Sequence, residues 1–98
     1  MTTTKIFDNA SGIVGGSTIV YAGDYIRYPQ VIVQVALVGT VGAALVLQGR
    51  SQEGAGWATL IPSITANGIY FYPQAMPQMR LFATSGTFSS LNAWLIGA

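Results

Sequence analysis

Apolar residues in this chain recur in short runs of strand length, broken by Gly, Pro, Asn or Ser, and no window sustains the period of an amphipathic helix. The pattern predicts an all-β fold of about eight strands, over residues 4–8, 17–22, 31–38, 44–50, 56–61, 69–73, 78–84 and 90–97. Turn chemistry marks the joints. Residues 39–42 (Gly-Thr-Val-Gly) and 52–56 (Gln-Glu-Gly-Ala-Gly) can reverse the chain, Asn67-Gly68 supplies positive φ, and Ser85-Gly86 opens the last reversal. Such joints imply antiparallel neighbours, and two stacked sheets in a jelly-roll-like antiparallel β-sandwich are the economical arrangement. Pro62, Pro73 and Pro77 lack a backbone donor and are expected at strand ends or on edges.

Period-two alternation divides each strand into two faces. One set reads as core: Val31, Val33, Val35 and Leu37; Leu45 and Leu47; Ile69 and Phe71; Met79, Leu81 and Ala83; Leu91, Ala93 and Leu95. The opposite set carries Val46, Gln48 and Arg50; Tyr70 and Tyr72; Gln78, Arg80 and Phe82; Asn92, Trp94 and Ile96. Tyr70, Tyr72, Phe82 and Trp94 would then form an aromatic patch of a kind that monomers rarely leave wet. It admits three readings: a register slip in one strand that returns some rings to the core, a subunit or partner interface, or a platform on which sugar rings stack. The interface reading is preferred.

Residues 1–16 differ in texture, with a Thr run, then Lys5-Ile6-Phe7, then paired glycines. They read as an N-terminal arm to a sandwich domain over 17–98, with a frayed terminus and edge strand as the alternative. Docking Ile6 and Phe7 on a neighbouring subunit would gain about 1.5–3 kcal/mol per side chain. Trp57, after Gly54-Ala55-Gly56, reads as a plug closing one end of the core. Arg50 with Glu53, and Asp24 with Arg27, read as local loop pairs.

Composition changes the picture in one respect. At 98 residues the chain has room for one domain, 51% of it is hydrophobic, and only 7% is charged against roughly 25% in an ordinary soluble domain. Amides, hydroxyls and apolar groups must cover most of the outside, which favours association. A sandwich this small buries only about 60–70% of the surface its unfolded chain exposes and gains from burial elsewhere.

Candidate chemistry is sparse. Without Cys or His there are no thiol nucleophiles, Cys/His zinc sites or histidine general bases. Asp8, Asp24 and Glu53 are too few for most carboxylate cages within one chain, so neither metal nor cofactor is expected and an enzyme is the weakest reading. Lys5, Arg27, Arg50 and Arg80 are scattered, with a net charge of +1, and nucleic acid is not an expected partner. Residues 11–16 resemble a phosphate-binding glycine loop but lack its Lys-Ser/Thr ending and following helix. No apolar run of signal-peptide length follows Lys5 before Asp8, so no secretion signal is expected. The uncharged stretch 28–49 is long enough to cross a bilayer, yet its β-branched residues and central glycines describe two strands and a turn, and no membrane is expected.

Residues 31–98 carry a further pattern: Val33-Gln34-Val35, Gly39-Thr40, residues 45–49 (Leu-Val-Leu-Gln-Gly), a polar loop and Trp57, then residues 64–70 around Asn67-Gly68, Met79-Arg80-Leu81, and Ser85-Gly86-Thr87 before the last strand. This resembles a small β-sandwich domain of tailed-bacteriophage virion structural proteins, with Gln48, Gly49, Trp57, Asn67, Gly68 and Arg80 in the matching places. The loop at 50–54 and Trp94 in the closing strand depart from it. The resemblance implies a virion component without enzymatic activity: a capsid decoration (cement) protein bound to the major capsid protein at the outer capsid surface, or a tail or fibre module. It favours a homotrimer over a dimer; the alternation and the N-terminal arm, not the resemblance, put Ile6, Phe7, Tyr70, Tyr72, Phe82 and Trp94 at the expected interfaces with another copy or the capsid. A carbohydrate-binding module that holds a glycan is the alternative from another class.

Overall fold

A computed structural model describes residues 2–17, 19–21, 30–40, 42–73 and 76–97. Eight strands run through them: β1 (Thr2–Gly12), β2 (Val20–Tyr21), β3 (Val31–Gly39), β4 (Ala44–Arg50), β5 (Ala58–Ile64), β6 (Gly68–Tyr72), β7 (Gln78–Ser85) and β8 (Phe88–Gly97). Among the described residues there is no helix. The strands form two antiparallel four-stranded sheets, ordered β1-β8-β3-β6 (sheet A) and β2-β7-β4-β5 (sheet B). The stretch 28–49 is, over its described residues, β3, β4 and part of their joint; no helix there or elsewhere among the described residues is long and apolar enough to cross a membrane.

Of the four expected reversals, only 52–56 joins strands that pair, β4 with β5. The joints at 39–42, 67–68 and 85–86 carry the chain from one sheet to the other. A turn sequence sets a change of direction, and does not decide whether the next strand pairs in the same sheet or crosses the core. Two of these crossings are tied together: Thr40 N donates to Thr87 O (2.9 Å), Thr87 N to Thr40 Oγ1 (3.1 Å), and Ser85 Oγ to Gly42 O (2.6 Å). Gly86 sits there at φ 85°, where an added Cβ would lie 2.5 Å from Ala43 Cα.

Both sheets feed one apolar core. Sheet A contributes Ile6, Phe7, Val31, Val33, Val35, Phe88, Leu91, Ala93 and Leu95, and sheet B contributes Val20, Leu45, Leu47, Ile64, Met79 and Leu81. The alternation expected for β3, β4, β7 and β8 is the one observed. Among the described residues no polar or charged residue is buried, so polar chemistry is confined to surfaces.

Three elements depart from expectation. Residues 2–12 are not a free arm: they are β1, paired with β8 from Thr2 opposite Gly97 to Gly12 opposite Phe88. A bulge explains it. Lys5 faces Trp94 and Phe7 faces Ala93, so Ile6 is the extra residue, and two consecutive bulky side chains both turn into the chain's own core, at 4% and 6% exposure. Asn9, at φ 50°, marks a second irregularity, which Asn92 patches by accepting from Asn9 N at 2.8 Å. In β5, three steps (Ile64 to Ile61) stand against two steps of β4 (Leu45 to Leu47), with Ser63 at φ 58°. β5 therefore runs past Pro62, which its edge position tolerates.

The third departure is β6, whose faces are exchanged. Tyr70 and Tyr72 stand opposite Val33 and Val31 and pack against the core, while Ile69 and Phe71 point out, 57% and 61% exposed. At an edge strand a tyrosine can bury its ring and keep its hydroxyl at the rim, and Tyr70 Oη donates to Ala66 O at 2.6 Å.

Candidate interaction surfaces

The outer face of sheet A follows from its register. Ile96 lies beside Ile32 and Ile32 beside Phe71, and in the next row Trp94 lies beside Gln34 and Gln34 beside Ile69. Neighbours in such rows are about 4.8 Å apart across the strands, so Ile32, Ile69, Phe71, Trp94 and Ile96 form one apolar patch interrupted by a single amide. Its charged margin is on β1, where Lys5 Nζ lies 5.2 Å from the Trp94 ring centre and 2.9 Å from Asp8 Oδ1. A lysine on an edge strand discourages uncontrolled strand addition there. The exposed ion pair itself contributes about 0–1 kcal/mol.

The outer face of sheet B has different chemistry. Val46 pairs with Phe82, Gln48 with Arg80, and Arg50 with Gln78. Trp57, just before β5, lies over these strands instead of plugging the core. The guanidinium carbons of Arg50 and Arg80 are 4.2 and 4.3 Å from its ring centre, and that of Arg80 is also 4.9 Å from the centre of Phe82. Arg50 Nε donates to Gln78 Oε1 at 2.7 Å and Arg80 Nε to Gln48 Oε1 at 2.9 Å, so each glutamine fixes the arginine of the opposite strand. Burial first, and the neighbouring Arg50 guanidinium second, lower the pKa of Arg80 from its ordinary value. The expected Arg50–Glu53 pair is replaced by this stack and its glutamine bond. The Asp24–Arg27 pair lies outside the described residues.

The six expected interface residues are therefore not gathered in one place. Ile6 and Phe7 are core, Tyr70 and Tyr72 line its rim, Trp94 is on the outer face of sheet A, and Phe82 is on that of sheet B. The residues that do lie together with Trp94 are Ile32, Ile69, Phe71 and Ile96. The register of β6 exchanges Tyr70 and Tyr72 for Ile69 and Phe71, the bulge in β1 takes Ile6 and Phe7 into the core, and the assignment of β7 to sheet B puts Phe82 on the opposite side of the molecule. The arginine stack leaves a fainter sequence signal: Gln48 and Arg50 alternate on β4, as Gln78 and Arg80 do on β7, which is a cross-paired arrangement once those strands are neighbours.

Among the described residues no group of three or more acidic, Cys or His side chains is placed to hold a metal ion. Set against known proteins, the chain matches no family model, no curated sequence and no solved structure.

Proposed function

We propose that the chain is a jelly-roll β-sandwich that works by binding and not by catalysis: a capsid decoration (cement) protein of a tailed bacteriophage, sitting on the outer shell as a homo-oligomer. Sheet orders of β1-β8-β3-β6 and β2-β7-β4-β5 are those left by two interlocked Greek keys, and the shared core and 19 Å shortest dimension suit two sheets stacked about 10 Å apart. The resemblance over residues 31–98 supplies the virion role and favours a trimer over a dimer. Residues 2–12 enter that assembly as an edge strand and not as a grasping arm.

The observation that carries the reading is the apolar outer face of sheet A. A second copy is its proposed cover, because the patch presents no charge that a copy would repel and scarcely any polar group to desolvate. A stable interface takes about 800 Å² from each partner, or roughly a sixth of this chain's 5069 Å² surface. Light scattering on purified protein tests the first half: the expected mass is two or three times 10.3 kDa, and a monodisperse monomer at micromolar concentration overturns it. Cosedimentation with shells lacking decoration tests the second; saturable binding is expected, and no binding to any tailed-phage shell tried removes the cement role. A tail or fibre module is the nearest alternative and would bind tails instead.

A further inference from the structure

The outer face of sheet B holds two guanidiniums against one indole, and among the described residues neither is in an ion pair. Placing like charges together costs energy that an incoming anion recovers from both at once. The side edge of each guanidinium is used, since each Nε donates to a glutamine. The end edges, carrying the Nη groups, have no hydrogen-bond partner among the described residues. Stacking on Trp57 and the Gln48 and Gln78 bonds hold these planes in position, so little side-chain freedom remains to be lost on binding.

We propose that Arg50 and Arg80 form a receptor for a carboxylate of an acidic protein segment, taken end-on by guanidiniums that Trp57, Gln48 and Gln78 hold in place. A planar carboxylate matches the end edge of a guanidinium with two parallel hydrogen bonds. Two basic groups suit one or two side-chain carboxylates better than a phosphate polymer, which rewards a longer run of cations. A sugar platform is less well suited, because the indole on which a pyranose would stack is already engaged by both arginines. That the segment belongs to a shell protein rests on the reading above; the carboxylate chemistry does not.

Gly16 adds a control within the site. It bridges to Phe82 across the edge of β7, and a Cβ there would lie 3.0 Å from Arg80 Nη1. Gly16→Ala should therefore crowd the guanidinium without removing either charge.

Calorimetric titration of the whole protein with a decaglutamate peptide at low salt tests the proposal. Saturable binding is expected, weakened about tenfold or more by Arg50→Gln and by Arg80→Gln, each the loss of one bidentate charge-assisted pair. Arg80→Lys keeps the charge and loses the fork, and should bind several-fold more weakly than the parent; Gly16→Ala should also weaken it, and Lys5→Gln, on the other sheet, should not. Circular dichroism melts confirm that the compared variants are folded. Equal binding by the Arg→Gln or Arg→Lys variants, equal weakening by Lys5→Gln, or tighter binding of polygalacturonate than of decaglutamate would each overturn the proposal. Oligomer mass measured on the same samples reports on sheet A, so loss of self-association and loss of the carboxylate site are told apart.

Discussion

Trp57 separates a core role from a surface role by the size of its effect. A tryptophan closing the core would cost about 3–5 kcal/mol on truncation. Lying on the outer face of sheet B against two guanidiniums, it holds two cation–π contacts, each worth about 0.5–1 kcal/mol where solvent reaches them. Trp57→Leu is therefore expected to lower unfolding free energy by about 1–2 kcal/mol in urea titrations, and a loss near the core figure would return the ring to the interior. The glycines of the crossing loops allow a second comparison at this scale. Gly42 and Gly86 share φ 85°, but a Cβ on Gly42 meets nothing within 4 Å whereas one on Gly86 would strike Ala43. Gly42→Ala should cost about 1–2 kcal/mol for the left-handed backbone alone. Gly86→Ala should cost clearly more, and equal denaturation midpoints for the two would mean that the Thr40–Thr87 junction yields freely.

At the scale of the strand, β1 and β6 make opposite demands on stability. Ile6→Ala and Phe7→Ala each empty core volume and should cost about 2–5 kcal/mol. Ile69→Ala and Phe71→Ala, on the exposed side of β6, should change the stability of the isolated chain by about 0.5 kcal/mol or less. Denaturation of the four variants at concentrations below self-association checks both strands, and large losses at Ile69 and Phe71 would restore the register in which they are core. These two strands also mark where reading the residues stops short. In β3, β4, β7 and β8 one face is Val, Leu, Met or Ala and the other is mostly mixed or polar, so alternation alone orients them. In β6 both faces are bulky, and Ile/Phe against Tyr is a poor discriminator at an edge where hydroxyls can reach the rim. In β1 a bulge places two successive side chains inside, which a period of two cannot express. The same limit hides the arginine stack, since Arg50 and Arg80 meet only because β4 and β7 pair across thirty residues.

For the whole molecule, pairing of β1 with β8 ties the two ends of the chain into one sheet, with β8 between β1 and β3. Deleting residues 1–12 would therefore bare the flank of a central strand and remove Ile6 and Phe7 from the core together. Loss of the fold is expected, seen as a lost thermal transition, and a shortened chain that melts normally as a monomer would mean that β1 is dispensable after all. Assembly calls for a gentler perturbation on the other side of the same sheet. Phe71 is the most exposed ring of the patch and contributes little to its own chain, so a charge placed there must be desolvated only when a second copy covers it. Phe71→Asp should leave the melting of the monomer near that of the parent while shifting light-scattering mass toward 10.3 kDa, because each interface would bury an unpaired carboxylate. Gln34→Leu, which removes the single amide from the patch, should shift the equilibrium toward the oligomer. If both substitutions left the mass unchanged, copies would be meeting through some other surface, and sheet A would be open to a different cover.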